Sequence, residues 1–237
     1  MKRFKTVHYT IHSNKIKDAR GIRFAVIADL HGMEFGSDNR KLLETIHRYR
    51  PDGILIAGDM IVRNDSASLK TASSLLRSLA QQYPVYYALG NHEYKLYRTD
   101  PQDNCMAARY REYEKELKKA GIHILHNESC SLQVGKTSLT VYGLEVPLIY
   151  YKKPFSPQLK REEIRELIGE PSSDSLNILL AHSPKYGDTY FDWGADLILS
   201  GHYHGGIVRI GRHNGLLSPQ LHPFPKFCCG DFHRKRS

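Results

Sequence analysis

Apolar and polar positions along the chain fall into two successive rhythms. Val7 to Ile11 alternates, with Val7, Tyr9 and Ile11 set against His8 and Thr10, which predicts a half-exposed strand. Ile22 to Ala28 is a nearly continuous apolar run, the pattern of a strand buried on both faces, and it stops at Asp29-Leu30-His31-Gly32. Leu42, Leu43, Ile46 and Tyr49 then recur at helical spacing until Pro51 ends the helix. The unit repeats. Gly53 to Ala57 is a second buried strand closed by Gly58-Asp59, and Ser66 to Gln82 is a helix with Leu69, Leu75, Leu76 and Leu79 on its apolar stripe. Pro84 to Leu89 is a third strand, closed by Gly90-Asn91-His92-Glu93, and Met106 to Ala120 is a third helix closed by Gly121. Such a succession predicts a mostly parallel sheet with right-handed crossovers.

From Ile122 the rhythm changes. Ile122 to His126, Cys130 to Val134 and Ser138 to Leu144 are short alternating runs separated by turn residues, which predicts an antiparallel segment. Arg161 to Ile168 reads as a helix. Leu176 to Ala181 is again a buried strand, ending at His182-Ser183-Pro184, and Asp196 to Ser200 is another, ending at Gly201-His202-Tyr203-His204-Gly205-Gly206. With no internal repeat or linker, residues 1–237 are expected to form a single domain, with 221–237 as an irregular tail.

The chemistry sits at one kind of place. The apolar strands end in polar clusters: Asp29 and His31, then Asp59, then Asn91 and His92, then His182, then His202 and His204. In open α/β sheets a site lies outside the carboxyl ends of the strands, so these clusters are expected to converge. Each has a local alternative. Asp29 or Asp59 could cap the following helix, Gly90-Asn91 could be a turn, and His182 could bond a loop carbonyl. Carboxylates, an amide oxygen and imidazoles together suit Mn, Fe, Zn or Ni rather than Mg or Ca, and so many donors favour two ions over one.

In order, Asp29-x-His31, Gly58-Asp59, Gly90-Asn91-His92-Glu93, the isolated His182 and Gly201-His202-x-His204 resemble the motifs of the calcineurin-like metallophosphoesterases. The resemblance spans about residues 20 to 210 and is most similar to a bacterial branch. That branch holds UDP-2,3-diacylglucosamine pyrophosphohydrolase-like enzymes and membrane-associated phosphoesterases. It implies a four-layer α/β/β/α sandwich with two mixed β-sheets. It also implies that Asp29, His31 and His204 hold one metal ion, that Asn91, His182 and His202 hold the other, and that Asp59 bridges them. His92 is then the catalytic residue, contacting phosphate and assisting the leaving group. The implied reaction is hydrolysis of a phosphoester or pyrophosphate bond by a metal-bound hydroxide, on a phosphorylated small molecule, a nucleotide or a lipid-linked substrate. The family's pattern usually runs further past the last motif, whereas only 33 residues follow His204 here. A chain shortened at the C-terminus would expose a sheet edge and invite pairing between copies.

Composition narrows the setting. A hydrophobic fraction of 41% and a charged fraction of 25% are those of an ordinary globular domain. With no apolar run of 18 residues there is no spanning helix. The basic start, Met1 to Lys5, lacks the apolar stretch of a signal peptide. The four cysteines have no CxxC spacing, which fits reduced thiols, so the cytoplasm is expected. A net charge of +9 favours anionic partners, and any membrane contact would be peripheral, at the inner face. Competing readings are a nuclease or cyclic-nucleotide phosphodiesterase, and a non-catalytic scaffold of the same fold. Against the first, no regular basic-aromatic stripe appears. Against the second, every ligand position is filled.

Overall fold

The computed structural model describes residues 3–204, 208–210, 214–221 and 223–234. Gly205 and Gly206 of the last motif lie outside the described residues. Chain order gives β1 (Phe24–Ile27), α1 (Arg40–Tyr49), β2 (Gly53–Ala57), α2 (Ser66–Ala80), β3 (Val85–Ala88), α3 (Asn91–Tyr97), α4 (Cys105–Lys119) and β4 (His123–Ile124). Then follow β5 (Ser129–Val134), β6 (Thr137–Leu144), α5 (Arg161–Ile168), β7 (Leu176–Ala181), α6 (Gly187–Trp193), β8 (Leu197–Leu199), β9 (Val208–Ile210) and β10 (Asn214–Leu217). The long helices start where the sequence supplies caps. Asp65 accepts from the Ala67 N–H at the start of α2, and Asn104 accepts from the Met106 and Ala107 N–H groups at the start of α4.

Two four-stranded sheets, β1-β2-β3-β4 and β5-β6-β7-β8, stack face to face. Strand alternation builds the layers. Ile54 and Ile56 of β2 point outward to the core under α1, α2 and α4, while Leu55 between them points inward to the second sheet. In β7, Ile178 and Leu180 meet that inner core, and Leu179 and Ala181 face the outer one with Tyr190 and Trp193 of α6. The result is the expected α/β/β/α order. The first sheet, however, is parallel throughout its described strands, and mixing is confined to the antiparallel β5–β6 pair of the second. β4 is thereby a parallel fourth strand of the first sheet, not part of the antiparallel segment.

Two further sequence expectations are corrected. Val7 to Ile11 is not a strand. It joins no strand ladder among the described residues, touching α1 through His8 on Tyr49, and leaves Val7, Tyr9 and Ile11 exposed; without a neighbouring strand its backbone groups have no ladder to bond to. β1 is not buried on both faces: it is an edge strand, and Val26 is 48% exposed. Residues 223–234 contact α6, where Lys226 pairs with Asp188 and Arg234 with Asp192. No helix among the described residues is long and apolar enough to cross a membrane.

Candidate metal centre

All eight polar residues singled out in the sequence sit at the carboxyl ends of strands, on one edge of the stacked sheets. Asp29 and His31 follow β1, Asp59 follows β2, and Asn91 and His92 open α3 directly after β3. His182 follows β7, and His202 and His204 follow β8. The chain turns abruptly at these ends. Asp29, His31, Asp59, His202 and His204 all adopt positive φ, between 47° and 68°. For residues other than glycine that conformation costs on the order of 1–2 kcal/mol each, so the surrounding bonds must hold it. The Asp29 N–H donates to the Gly58 carbonyl at 3.0 Å, the His31 N–H to the Asp59 carbonyl at 3.1 Å, and the Gly201 N–H to the His182 carbonyl at 3.0 Å. The His202 N–H donates to both oxygens of Asp29, at 3.0 and 2.9 Å, which ties the second sheet to the first.

Side-chain donors gather in two groups. The oxygens and ring nitrogens of Asp29, His31 and His204 lie within 4.8 Å of one another, and so do those of Asp59, His182 and His202. Asp59 Oδ2 lies 3.1 Å from His182 Nε2 and 3.9 Å from His31 Nε2, and Asp29 Oδ1 lies 3.7 Å from His31 Nε2 and 3.8 Å from His182 Nε2, so both carboxylates reach imidazoles of each group. His31 Nε2 and His204 Nε2 face each other at 3.3 Å. Asn91 Oδ1 and His202 Nε2 are buried without a hydrogen-bond partner, and His182 Nε2 is buried with only the Asp59 carboxylate before it. His182 Nδ1 donates to the Ala57 carbonyl at 2.7 Å, so in the neutral ring Nε2 carries the lone pair. The loop-carbonyl bond suggested as an alternative role for His182 is therefore present. It orients the ring rather than replacing the other role.

Electrostatics point the same way. Burial opposes the charged form of His182, but Asp59 and Asp29 outweigh it and raise its pKa to about 9. Burial opposes the Asp59 carboxylate too, yet His182 and His92 hold it well below the ordinary carboxylate range. His202 is lowered to about 3 by burial and by the neighbouring His182, which leaves it a neutral donor ring. A buried carboxylate ringed by imidazoles, some forced neutral and some held cationic, is a place that favours a positive charge. Metal ions fit this donor set, because orphaned buried lone pairs are the atoms a cation would satisfy.

His92 is set apart by its contacts. Its Nδ1 accepts the Arg63 N–H at 3.0 Å, so the neutral ring presents Nε2–H. One of its ring nitrogens also lies within 4.8 Å of donor atoms of His31 and Asp59. Burial lowers its pKa, and His31 and His182 add to the effect against the pull of Asp59. Two neighbours escaped the set of site residues read from the sequence. Tyr151, in the helical turn Leu148–Tyr151, has its ring 5.2 Å from that of His202, and no local signal marks it. Glu93 is fully buried behind Asp59, and its place in Gly90-Asn91-His92-Glu93 was a signal.

Close approach explains two glycines. A Cβ on Gly58, whose φ is +85°, would lie 2.5 Å from the Gly90 nitrogen and 2.6 Å from His182 Nδ1. A Cβ on Gly90 would lie 2.1 Å from Asp59 Oδ1.

The family model described as calcineurin-like phosphoesterase matches residues 22–206. The chain is 31% identical over 220 residues to a putative metallophosphoesterase of Caenorhabditis elegans, an alignment covering 84% of this chain and 42% of that protein. It is 26% identical over 161 residues to the phosphodiesterase YaeI of Escherichia coli, covering 68% and 52%. It is 23% identical over 251 residues to a UDP-2,3-diacylglucosamine pyrophosphatase of Chlamydia muridarum, covering 90% and 69%. The chain thus spans only part of the length of the relatives it matches.

Proposed function

This chain belongs to the calcineurin-like phosphoesterase family of metal-dependent hydrolases, and from that premise we propose that it cleaves phosphoester or pyrophosphate bonds at a pair of transition-metal ions. Asp29, His31 and His204 would hold one ion and Asn91, His182 and His202 the other, with Asp59 shared. The observation that carries this reading is the convergence of the buried, partnerless atoms Asn91 Oδ1 and His202 Nε2 with His182 Nε2, which faces the buried Asp59 carboxylate at 3.1 Å. Such atoms cost about 1–3 kcal/mol each if nothing satisfies them. When bound, two such ions supply charge stabilisation at the phosphoryl group and activation of water.

The chain's own residues do the rest. Asp29 accepts the His202 N–H and so aligns the two loops that face each other across the sheets. The Ala57 carbonyl fixes the tautomer of His182, and the Arg63 N–H fixes that of His92. His92 Nε2–H is then directed to a phosphoryl or leaving-group oxygen, where a positioned donor is worth on the order of 10²–10⁴-fold. Carboxylate with imidazole suits Mn, Fe, Zn or Ni. The phosphodiesterase and pyrophosphatase among the relatives support the two bond classes.

The test is metal analysis of the purified chain followed by a panel of a monoester, a diester, a nucleotide sugar and a lipid pyrophosphate. Metal-dependent hydrolysis of at least one is expected. His92→Ala should lose turnover by about 10²–10⁴-fold while retaining metal. A folded wild type with neither metal nor hydrolysis would refute the reading and leave the non-catalytic scaffold.

A further inference from the structure

Glu93 is a buried charge-bearing residue that the proposed chemistry does not use, and it is 0% exposed. Its Oε1 accepts from the N–H groups of Met60 at 2.7 Å and Ile61 at 3.2 Å and from the Tyr87 hydroxyl at 2.8 Å. Its Oε2 accepts from the N–H groups of Asp59 at 3.1 Å and Gly90 at 3.2 Å. Burial and the charge of Asp59 raise the pKa of Glu93 to about 8, against which the Tyr87 hydroxyl and the backbone N–H groups favour the ionised form, since both oxygens face donors. Three successive backbone N–H groups, Asp59 to Ile61, converge on this one anion, a concavity of the kind that binds anions elsewhere.

A simple helix cap would need only part of this. As the third residue of α3, Glu93 does reach back to the Gly90 N–H in the manner of a capping box. The bonds to Asp59, Met60 and Ile61 go instead to another loop, over 30 residues away in sequence. That loop is where Asp59 is held at φ +51°. The brace is reciprocal, because Asp59 Oδ1 accepts the His92 N–H at 3.0 Å. The backbone N–H of the shared ligand is thus fixed by Glu93, while its carboxylate fixes the residue next to Glu93.

We propose that Glu93 is a positioning residue for the metal pair: its carboxylate holds the strained Asp59–Ile61 turn and the start of α3 together, setting Asp59 between the two groups of ligands. The inference rests on the dinuclear reading given above. It goes beyond it by predicting that a residue touching neither ion nor substrate governs occupancy of the pair.

The test compares full-length wild type, Glu93→Gln and Tyr87→Phe by Mn²⁺ titration with metal stoichiometry, alongside thermal unfolding of the metal-free proteins and kcat at saturating Mn²⁺. In Glu93→Gln the amide keeps the size of the side chain, but its NH₂ group confronts backbone N–H donors. Binding of the Mn²⁺ pair should weaken by about 10–100-fold, the usual consequence of removing an outer partner of a metal ligand. Activity should partly recover as Mn²⁺ is raised. Tyr87→Phe removes one donor to the same carboxylate and should weaken Mn²⁺ several-fold with the fold intact, so it decides the matter if Glu93→Gln does not fold. A merely structural Glu93 would lower the melting temperature and leave Mn²⁺ affinity per folded molecule unchanged, and that result would overturn the inference. A wild type that never binds two ions would instead refute the dinuclear reading itself.

Discussion

Gly90→Ala isolates the position of Asp59 from every other property of the site. Gly90 has φ −88° and ψ −176°, a conformation alanine adopts freely, so the substitution introduces no backbone strain. It introduces a collision. The new Cβ would stand 2.1 Å from Asp59 Oδ1, 2.4 Å from its backbone nitrogen and 2.7 Å from its Cγ. The carboxylate could rotate, but the backbone nitrogen cannot, since its N–H is bonded to Glu93. The two loops must therefore separate by about 1 Å, a misplacement of the size that costs on the order of 10²-fold in turnover. Overpacking adds about 1–3 kcal/mol of destabilisation, at roughly 2–4 °C of melting temperature per kcal/mol for a chain of this size. The assay is kcat/KM on a chromogenic phosphodiester with Mn²⁺ stoichiometry measured on the same preparation. Gly121→Ala serves as the control. Its φ is +84° with nothing within 4 Å of the added Cβ, so it should cost about 1–2 kcal/mol of stability and no activity. Gly90→Ala with wild-type kcat/KM and a full metal complement would show that the Gly90–Asp59 approach does not set the geometry of the centre.

Two further outcomes follow from the charges. Chelation should lower the melting temperature of wild type, because ions bound only by the folded state stabilise it by about 2.7 kcal/mol at a hundred times their Kd; identical melting curves with and without chelator would contradict the donor set. The second concerns His126, which bonds Glu145 and Glu114 through its two nitrogens, each at 2.9 Å. Burial lowers its pKa, but the two carboxylates outweigh this and raise it to about 9. A raised pKa means that the stabilisation is complete below pH 6.5 and is lost as pH rises through about 9. Urea midpoints followed by the fluorescence of Trp193, the one tryptophan, should therefore fall across that window in wild type more than in His126→Gln. An equal fall in both proteins would remove His126 from the explanation.

The parts of this protein that were legible in sequence are those whose signal is local. Three strand-helix units, the positions of α2, α4 and α5, and the polar residue at each strand end could be read directly, because strand burial, helical spacing and capping residues act over a few positions. Short helices were missed. α3 and α6 have 7 residues each, too few for an apolar stripe to repeat, and each begins where the eye is drawn to a site motif or a proline. The expectation for β1 failed for another reason. An apolar run reports that a strand can be buried, and whether it is depends on which strand lies beside it; here β1 is at an edge. The same holds for His123 and Ile124, whose partner is the parallel neighbour β3.

By itself, then, the sequence determined the chemistry: which donors exist and that each closes a strand, so that they should converge; the division of those strands between two stacked sheets came from the tertiary structure. Tertiary structure alone decided the centre's geometry. That Asp59 is the buried carboxylate set against His182, that His182 and His92 have their tautomers set by the Ala57 carbonyl and the Arg63 N–H, and that Glu93 braces a loop over 30 residues away are contacts between segments distant in sequence. Periodicity specifies the face to which a side chain points. Only packing specifies what it meets there, because hydrogen bonds and charges act across ångströms of space and not across positions of the chain.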